Sequence, residues 1–536
     1  MFKLNRIKEQ IITTSALLLS TAAFSGYAAT AAYDPATNTV DLPVVEVLGS
    51  GGSSAFYNVK LQIVDGNQLE MIAANSISAT TGQRNVFDPD TISVHIPSIV
   101  VGADDFYAKL KYVPGSDPFR FTVEQLVSNQ FQGCPSFAQP GPTDGSCVLS
   151  GDIKTNATLT KNTNWILSGG VYIGGDNAES ATLTINPGTK IFGQSGADYL
   201  WIRRGSKIMA EGTPDNPIVM SGANQQAAGE WGGLLISGNA PVNGCNEGVT
   251  LCEVPNEAIT TEFYGGNNPA DNSGLIKYTQ ILFAGFAVRP DEELNGLTLG
   301  GVGSGTKIDY VQVHAGLDDG VEMFGGTVQM KHLVLTNIQD DSLDWASGWQ
   351  GRAQFVLIKQ SAEVGDRGIE ADNNDKNHDN LPRSQPIVSN MTILGRTGDS
   401  ATQSVLLRRG TGANIWNSVM TGSPSCLMID GASTFANAGS PGSLSGGLTI
   451  QNSFVQCASN FTDGEGATFT VAEWFLSQSG NKAEDPLLSG YLPATGSPLT
   501  LGGAAVNDNF FTPVDYAGAF RDANDDWTRE WTFNFN

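Results

Sequence analysis

The chain is short of positive charge, of histidine and of long apolar runs. Lys and Arg number 29 against 54 Asp and Glu, and only four His occur in 536 residues. A balance this acidic repels nucleic acid and anionic lipid, and leaves neutral glycans, cations and basic surfaces as partners. So few His argue against a His-rich metal centre. No nucleophilic triad, phosphate-binding loop or transition-metal cluster stands out. Helix-length amphipathic stretches are missing too, while Gly reaches 63 residues, well above the usual share of about 7%. That combination favours a turn-rich all-β chain. With 40% hydrophobic residues it can bury a large core, and its length admits about two to four domains.

The one continuous apolar run lies at the start. Lys3, Arg6 and Lys8 precede a run from about Ile11 to Phe24, followed by small residues at Ala28, Ala29, Ala31 and Ala32. This is too short to span a bilayer and reads as a secretory signal over residues 1–31, of the Sec type. The expected destination is extracellular or the cell surface, with the periplasm as the alternative. No Cys stands near the cleavage region to carry a lipid. Losing Lys3, Arg6, Lys8 and Glu9 with that segment moves the net charge from −25 to −27. Six Cys fit an oxidising compartment. Cys134 with Cys147 and Cys245 with Cys252 are near in sequence and leave Cys426 with Cys457, which predicts three local disulfides. None has the C-x-x-C spacing of a zinc site.

Residues 33–128 contain a repeat. "DPATNTVDLPVVEV" at 34–47 matches "DPDTISVHIPSIVV" at 88–101, and "FYNVKLQIV" from Phe56 answers "FYAKLKYV" from Phe106. Short alternating runs broken by Asp-Pro, Gly-Gly or Pro-Gly predict strands joined by turns. The segment is expected to form two small β units, or one sandwich built from a duplicated half.

From about residue 148 the grammar changes. Short strands follow one another with Gly, Asn and Pro between, too closely for crossover helices, so they are hairpins or solenoid coils. The segments "IKYTQILFAG" (276–285), "IDYVQVHAG" (308–316), "MKHLVLTNI" (330–338), "VSNMTILG" (388–395), "IWNSVMTG" (415–422) and "IQNSFVQC" (450–457) align in one column. Their spacing matches one coil of a β-helix, placed at 148–470. Asn390, Asn417 and Asn452 share a position in that column, where stacked amides are expected to bond to one another and to backbone at the bend. The aromatic C-terminus, 471–536, is expected to be a last coil and a cap over the solenoid end. An export signal is the alternative for its final strand.

An acidic pattern recurs within the coils. "DDGVEMFGG" (318–326), "DDSLDWASG" (340–348) and "DRGIEADNN" (366–374) align at offsets of 22 and 26 residues. Asp318, Asp340 and Asp366 form one column, Val321, Leu343 and Ile369 a second, and Glu322, Asp344 and Glu370 a third. Equivalent residues on successive coils lie about 4.8 Å apart. Like carboxylates at that spacing ask for a cation, a shared proton or a buried Arg. Ca²⁺ is the natural cation, with Asp318, Glu322, Asp340, Asp344, Asp366, Glu370 and Asp372 as ligands. The loop 371–380 adds Asn373, Asn374, Asp375, Asn377 and Asp379. It is no EF-hand, because counting from Asp375 puts Asn380 at position six and Pro386 at position twelve.

With these motifs the chain resembles the right-handed parallel β-helix proteins, the architecture of pectate lyases and polygalacturonases. "NGLTLGGVGSGTKIDYVQVHAGLDDGVEMFGG", "DDSLDWASGWQG", "DRGIEADN" and "VDYAGAF" are similar to a group of secreted bacterial pectate-lyase-like β-helix proteins. The resemblance covers about 148–536 and implies an all-β fold. It does not select a chemistry, because the fold hosts hydrolases, lyases, epimerases, adhesins and fibres. The Gly-His-Gly and Arg-x-Lys elements of a polygalacturonase-like site are missing near the acidic coils. A pectate-lyase-like site implies Ca²⁺-holding carboxylates and an Arg base, for which Arg367 or Arg408 could stand.

The leading expectation is a secreted or surface protein that binds polysaccharide or matrix, with Ca²⁺ on the ladder. Trp345, Trp349 and Arg408 are its candidate ligand contacts, against core packing for the Trp residues. The doublets Arg203-Arg204 and Arg408-Arg409 are read first as partners of acidic side chains, and His314 as a hydrogen-bonded structural residue. The competing class is a polysaccharide-cleaving enzyme. Asp318, Asp319, Asp340 and Asp341 would be its acid and base, at roughly 5 to 5.5 Å for a retaining or roughly 6.5 to 9.5 Å for an inverting glycosidase. A structural protein that self-associates through its β modules is the third expectation.

Overall fold

A computed structural model describes residues 30–49, 54–245, 251–289, 292–398 and 402–535. The expected export segment lies outside the described residues except at its end, where Ala31 already belongs to the first strand. The chain divides into two compact units, the first reaching to Gly133 and taking in Thr160–Asn162 and Thr213–Asn216, the second formed by the rest from Cys134 on.

The first unit is the duplicated segment. One copy supplies β1 (Ala31–Asp34), β2 (Thr39–Leu48), β3 (Ser54–Asp65) and β4 (Gln68–Ile77). The other supplies β5 (Asn85–Asp88), β6 (Ser93–Val101), β7 (Asp104–Tyr112) and β8 (Arg120–Ser128). The copies share local chemistry: Asp34 Oδ1 accepts from the Ala36 N–H and Asp88 Oδ1 from the Asp90 N–H. Pro43 and Pro97 each sit where the pairing register shifts, because proline has no N–H to give a ladder. The expectation of two β units or a sandwich gives way to one eight-stranded sheet closed on itself. Parallel pairs β1–β6 and β2–β5 and the antiparallel pair β4–β8 join the copies. Four strands alone would leave two open edges, and the exchange pairs part of each.

The second unit is a right-handed parallel β-helix. Three parallel ladders run its length. The first includes Tyr199–Ile202, Gly233–Ser237, Leu297–Gly300, Val321–Phe324, Leu343–Ala346, Ile369–Ala371 and Gln403–Leu407. The second and third are the two halves of the longer strands, such as Lys307–His314 and Gln329–Thr336, which bend in the middle. Inward side chains stack into a continuous apolar core. Leu297, Val321, Leu343, Ile369 and Val405 are in register and fully buried. All three expected disulfides form, Cys134–Cys147, Cys245–Cys252 and Cys426–Cys457.

The bend between the second and third ladders uses one residue with left-handed backbone in each coil: Tyr278, Tyr310, His332, Phe355, Asn390, Asn417 and Asn452, with φ from 46° to 61°. Asn tolerates this conformation, whereas aromatic side chains there cost on the order of 1–3 kcal/mol each. Stacking offsets the cost. Tyr278 lies 4.5 Å from Tyr310, Tyr310 4.1 Å from His332, and His332 4.9 Å from Phe355, centroid to centroid. The expected Asn column therefore exists, but its amides bond elsewhere. Asn390 Nδ2 donates to Tyr516 O and Gly518 O, and Asn417 Nδ2 to Ser389 Oγ and Ala504 O.

Those partners correct the reading of the C-terminus. The last coil is closed by a short helix, α1 (Val471–Leu476), whose Val471, Trp474 and Phe475 enter the core. The aromatic tail instead runs back along the outside of the bend as a lateral strap. Amides of Gln354, Gln312 and Gln280 bond its backbone at Thr512, Phe533 and Trp531, and Trp531 packs edge-on to Tyr278 and Tyr310. The aromatic stack has one exposed flank, and burying it beneath a second aromatic layer contributes more than covering a coil end already closed by α1. Trp531 is fully buried, so Trp531→Ala should cost about 3–5 kcal/mol in denaturant unfolding. A cost below about 1 kcal/mol would show that the strap does not support the bend.

Candidate functional site

The acidic columns fall on the outward face of the first ladder. Side chains alternate along a strand, so Val321 and Met323 point inward while Glu322 between them points outward. The register matches the alignment of the acidic motifs: Val321, Leu343 and Ile369 are paired in turn, and so are Glu322, Asp344 and Glu370. Period two also corrects the expected sugar platform. Trp345 is an inward position and fully buried, with its indole N–H bonded to Thr411 Oγ1 at 3.1 Å. Trp349 is equally buried and donates to Val328 O. Neither has a face to offer a ligand.

The turns before these strands hold the aspartates. Two of them bond backbone: Asp319 Oδ1 accepts the Asp341 N–H at 3.1 Å, and Asp341 Oδ1 accepts the Arg367 N–H at 2.7 Å. Each carboxylate thus caps the equivalent turn of the next coil. Asp318 and Asp340, one residue earlier, remain partly exposed.

Charge compensation splits the ladder in two. In the C-terminal half, Arg367 reaches Asp366 at 2.6 Å, Glu370 at 2.8 Å and Asp341 at 3.4 Å. Arg408 pairs with Glu370 and, at 2.9 Å, with Asp372, and Arg409 meets Asp372 at 2.8 Å. Asp366, Glu370 and Asp372, expected as Ca²⁺ ligands, already have arginine as counter-charge, and Arg408 is taken up by these pairs instead of facing a ligand. The loop 371–380 is also bonded within itself and to neighbouring protein groups. Asn373 Oδ1 accepts from Asn243 Nδ2 and the Ser384 N–H, Asn374 Oδ1 accepts from the Lys376 and Asn377 N–H groups, and Asp379 pairs with Arg383. Arg203 and Arg204 follow the same rule, pairing with Glu262 and Asp176. His314 is buried against Thr336 at 2.7 Å, and burial lowers its pKa to about 4.

The N-terminal half has no such partner. Among the described residues, no Lys or Arg forms an ion pair with Asp318, Asp319, Glu322, Asp340 or Asp344. Single carboxylate oxygens of Asp318, Asp319 and Asp340 lie within 4.8 Å of one another, and so do those of Asp319, Glu322 and Asp344. Burial is the first cause that raises these groups, and neighbouring carboxylates are the second. Asp318 is pushed up to about 8, with Asp340 as its foremost electrostatic cause, while Asp319, Glu322 and Asp344 are raised well above their ordinary values. Asp344 Oδ1 is buried with no hydrogen-bond partner. The set can hold shared protons or a divalent cation.

Sequence reasoning missed three participants. Asn295 donates to Glu322 at 2.6 Å and accepts the Asp319 N–H. Glu257 and Glu293 add negative potential at Asp318. They belong to insertions between coils, outside the repeating motif, so no periodicity marks them.

Residues 151–488, more than half of the chain, match the model of the pectate-lyase-like beta helix domain. The chain belongs to the pectate-lyase-like β-helix family. No curated protein and no solved structure matches it significantly. Membership agrees with the ladders above and points to a carbohydrate-related function.

A carboxyl whose folded pKa lies above its free value holds its proton more tightly in the folded chain. Its stabilising contribution is complete below the free pKa and is lost as pH rises through the raised one. For Asp318 that window runs from 3.8 to about 8. In buffer with chelator, the melting temperature should fall continuously between about pH 5 and about pH 8, and Asp318→Asn should make the decline shallower. A flat profile would mean that these carboxylates ionise freely.

Proposed function

We propose that the protein is an exported polysaccharide-binding β-helix, and that its glycan-facing surface is the acidic stretch of the first ladder with Ca²⁺ held by Asp318, Asp319 and Asp340. The observation that carries this reading is the arginine-free half of the ladder. Three carboxylates converge within 4.8 Å, and the same repeat one coil further on is neutralised by Arg367. Ca²⁺ accepts such oxygens in flexible geometry and keeps positions open for hydroxyls or a uronate. It also answers the charge problem, because a chain with net charge −25 repels an acidic glycan unless a cation bridges the two. Export is supported by the three disulfides. Among the described residues no helix is long and apolar enough to cross a membrane.

A second reading has its own support. A protonated Asp318 beside a partly exposed Asp340 pairs a potential general acid with a potential base. The two readings diverge in one experiment. The purified chain is incubated with a panel of neutral and acidic polysaccharides, with and without Ca²⁺, and chain length is followed by mass spectrometry alongside affinity electrophoresis. The binding reading expects Ca²⁺-dependent retardation of intact glycans, a Ca²⁺-induced rise in melting temperature near pH 8, and loss of both effects in Asp318→Asn and Asp340→Asn. Shortened or unsaturated products would assign the same aspartates to catalysis. Indifference of both melting and retardation to Ca²⁺ would remove the cation from the account.

A further inference from the structure

The sheet of the first unit has a weak junction. β4 and β8 hold equivalent places in the two copies of the repeat, and they pair antiparallel only at Gln68 with Thr122, Leu69 with Phe121 and Glu70 with Arg120. The Met71 N–H donates to Phe119 O and the Val123 N–H to Asn67 O, and there the contact ends. Antiparallel strands that meet near their starts each run on past the other. Among the described residues, no strand pairs with the outer edge of β4 over 72–77 or with that of β8 over 124–128.

The two free edges differ. Natural sheets blunt an edge with charge or by covering it, and β8 shows both devices. Glu124 places a carboxylate on it, paired with Lys109 at 3.1 Å. Asn162, of the same unit, donates from Nδ2 to Ser128 O at 3.0 Å. β4 has neither. No charged residue and no proline occurs over 71–83, and Asn75 and Ser76 are exposed. A bulge at Ile72 separates this stretch from the part that meets β8, and beyond it residues 73–77 pair one for one with residues 60–56 of β3. Their outer side is a regular strand edge.

We propose that two copies of the chain associate through this edge, β4 against β4, antiparallel about a two-fold axis at Asn75, so that Ala73 of each copy faces Ile77 of the other. Charge selects the place. With a net charge of −25 two copies repel each other, and an uncharged strand is where their backbones can approach. The number of open edges selects the occupant. A single unblunted edge in each chain is satisfied by an isologous pair, which closes, whereas contact of β4 with the β8 edge of another copy would propagate. Antiparallel pairing of these equivalent strands is already realised inside the chain, where β4 meets β8. The ladder is short, so the pair is reversible.

Sedimentation equilibrium of the full chain tests this, in buffer with chelator so that no cation bridges the acidic faces of two copies. The mass should rise with concentration from one copy to two and level there. Asn75→Lys and Asn75→Asp should each weaken the association at least about tenfold, because like charges then face each other across the axis. Their melting temperatures in dilute solution should match the wild type, since Asn75 is exposed. An equimolar mixture of the two variants should associate again, which a misfolded strand would not do. Should either variant fail to fold, Ser76→Lys charges the same exposed edge and should give the same loss. A wild type that stays monomeric up to about 1 mM, undiminished association of a folded charged variant, a mixture that does not recover, or a mass that grows past two copies overturns the proposal. None of these outcomes bears on Ca²⁺ or glycan binding, which belong to the other unit.

Discussion

Parallel coils put chemically equivalent residues directly above one another at about 4.8 Å, and everything else in the large unit answers to that spacing. Backbone ladders impose it, and side chains have no freedom to avoid it. An apolar position becomes a continuous core, as along Leu297, Val321, Leu343, Ile369 and Val405. An aromatic position at the bend becomes a stack, and an acidic position becomes a repulsive column. The same constraint is therefore stabilising or costly depending on the residue repeated.

The acidic columns show three answers to that cost. Asp319 and Asp341 turn their carboxylates onto the backbone N–H of the next coil. Glu370, Asp366 and Asp372 are matched by guanidinium groups. Asp318, Glu322, Asp340 and Asp344 have neither, and burial beside other carboxylates raises their pKa values. A purely structural column would be served by arginine throughout. The interruption of that pattern at one stretch of one face is what separates a candidate site from a solvated acidic surface.

The bend column meets its cost in another way. Four aromatic residues occupy a backbone conformation that disfavours them, and the protein supports them with a strap drawn from the far end of the chain. Gln280, Gln312 and Gln354 supply side-chain amides that bond the strap as a strand would. The strap thus links coils that are remote in sequence.

Much of this organisation could be read from residues alone, because a solenoid writes its geometry as periodicity. The alignment of three acidic motifs gave the register of the first ladder, the spacing of Cys gave the three disulfides, and the Asn column marked the bend. The sequence by itself thus determined the fold class and which residues share a column, since each follows from local repetition and strand alternation. Only the tertiary structure decided which carboxylates are neutralised, that Trp345 and Trp349 are core, that the tail is a strap, and that the duplicated strands exchange to close one barrel. Those outcomes depend on contacts between segments far apart in the chain, where side-chain direction and charge partners are set by packing and leave no periodic trace.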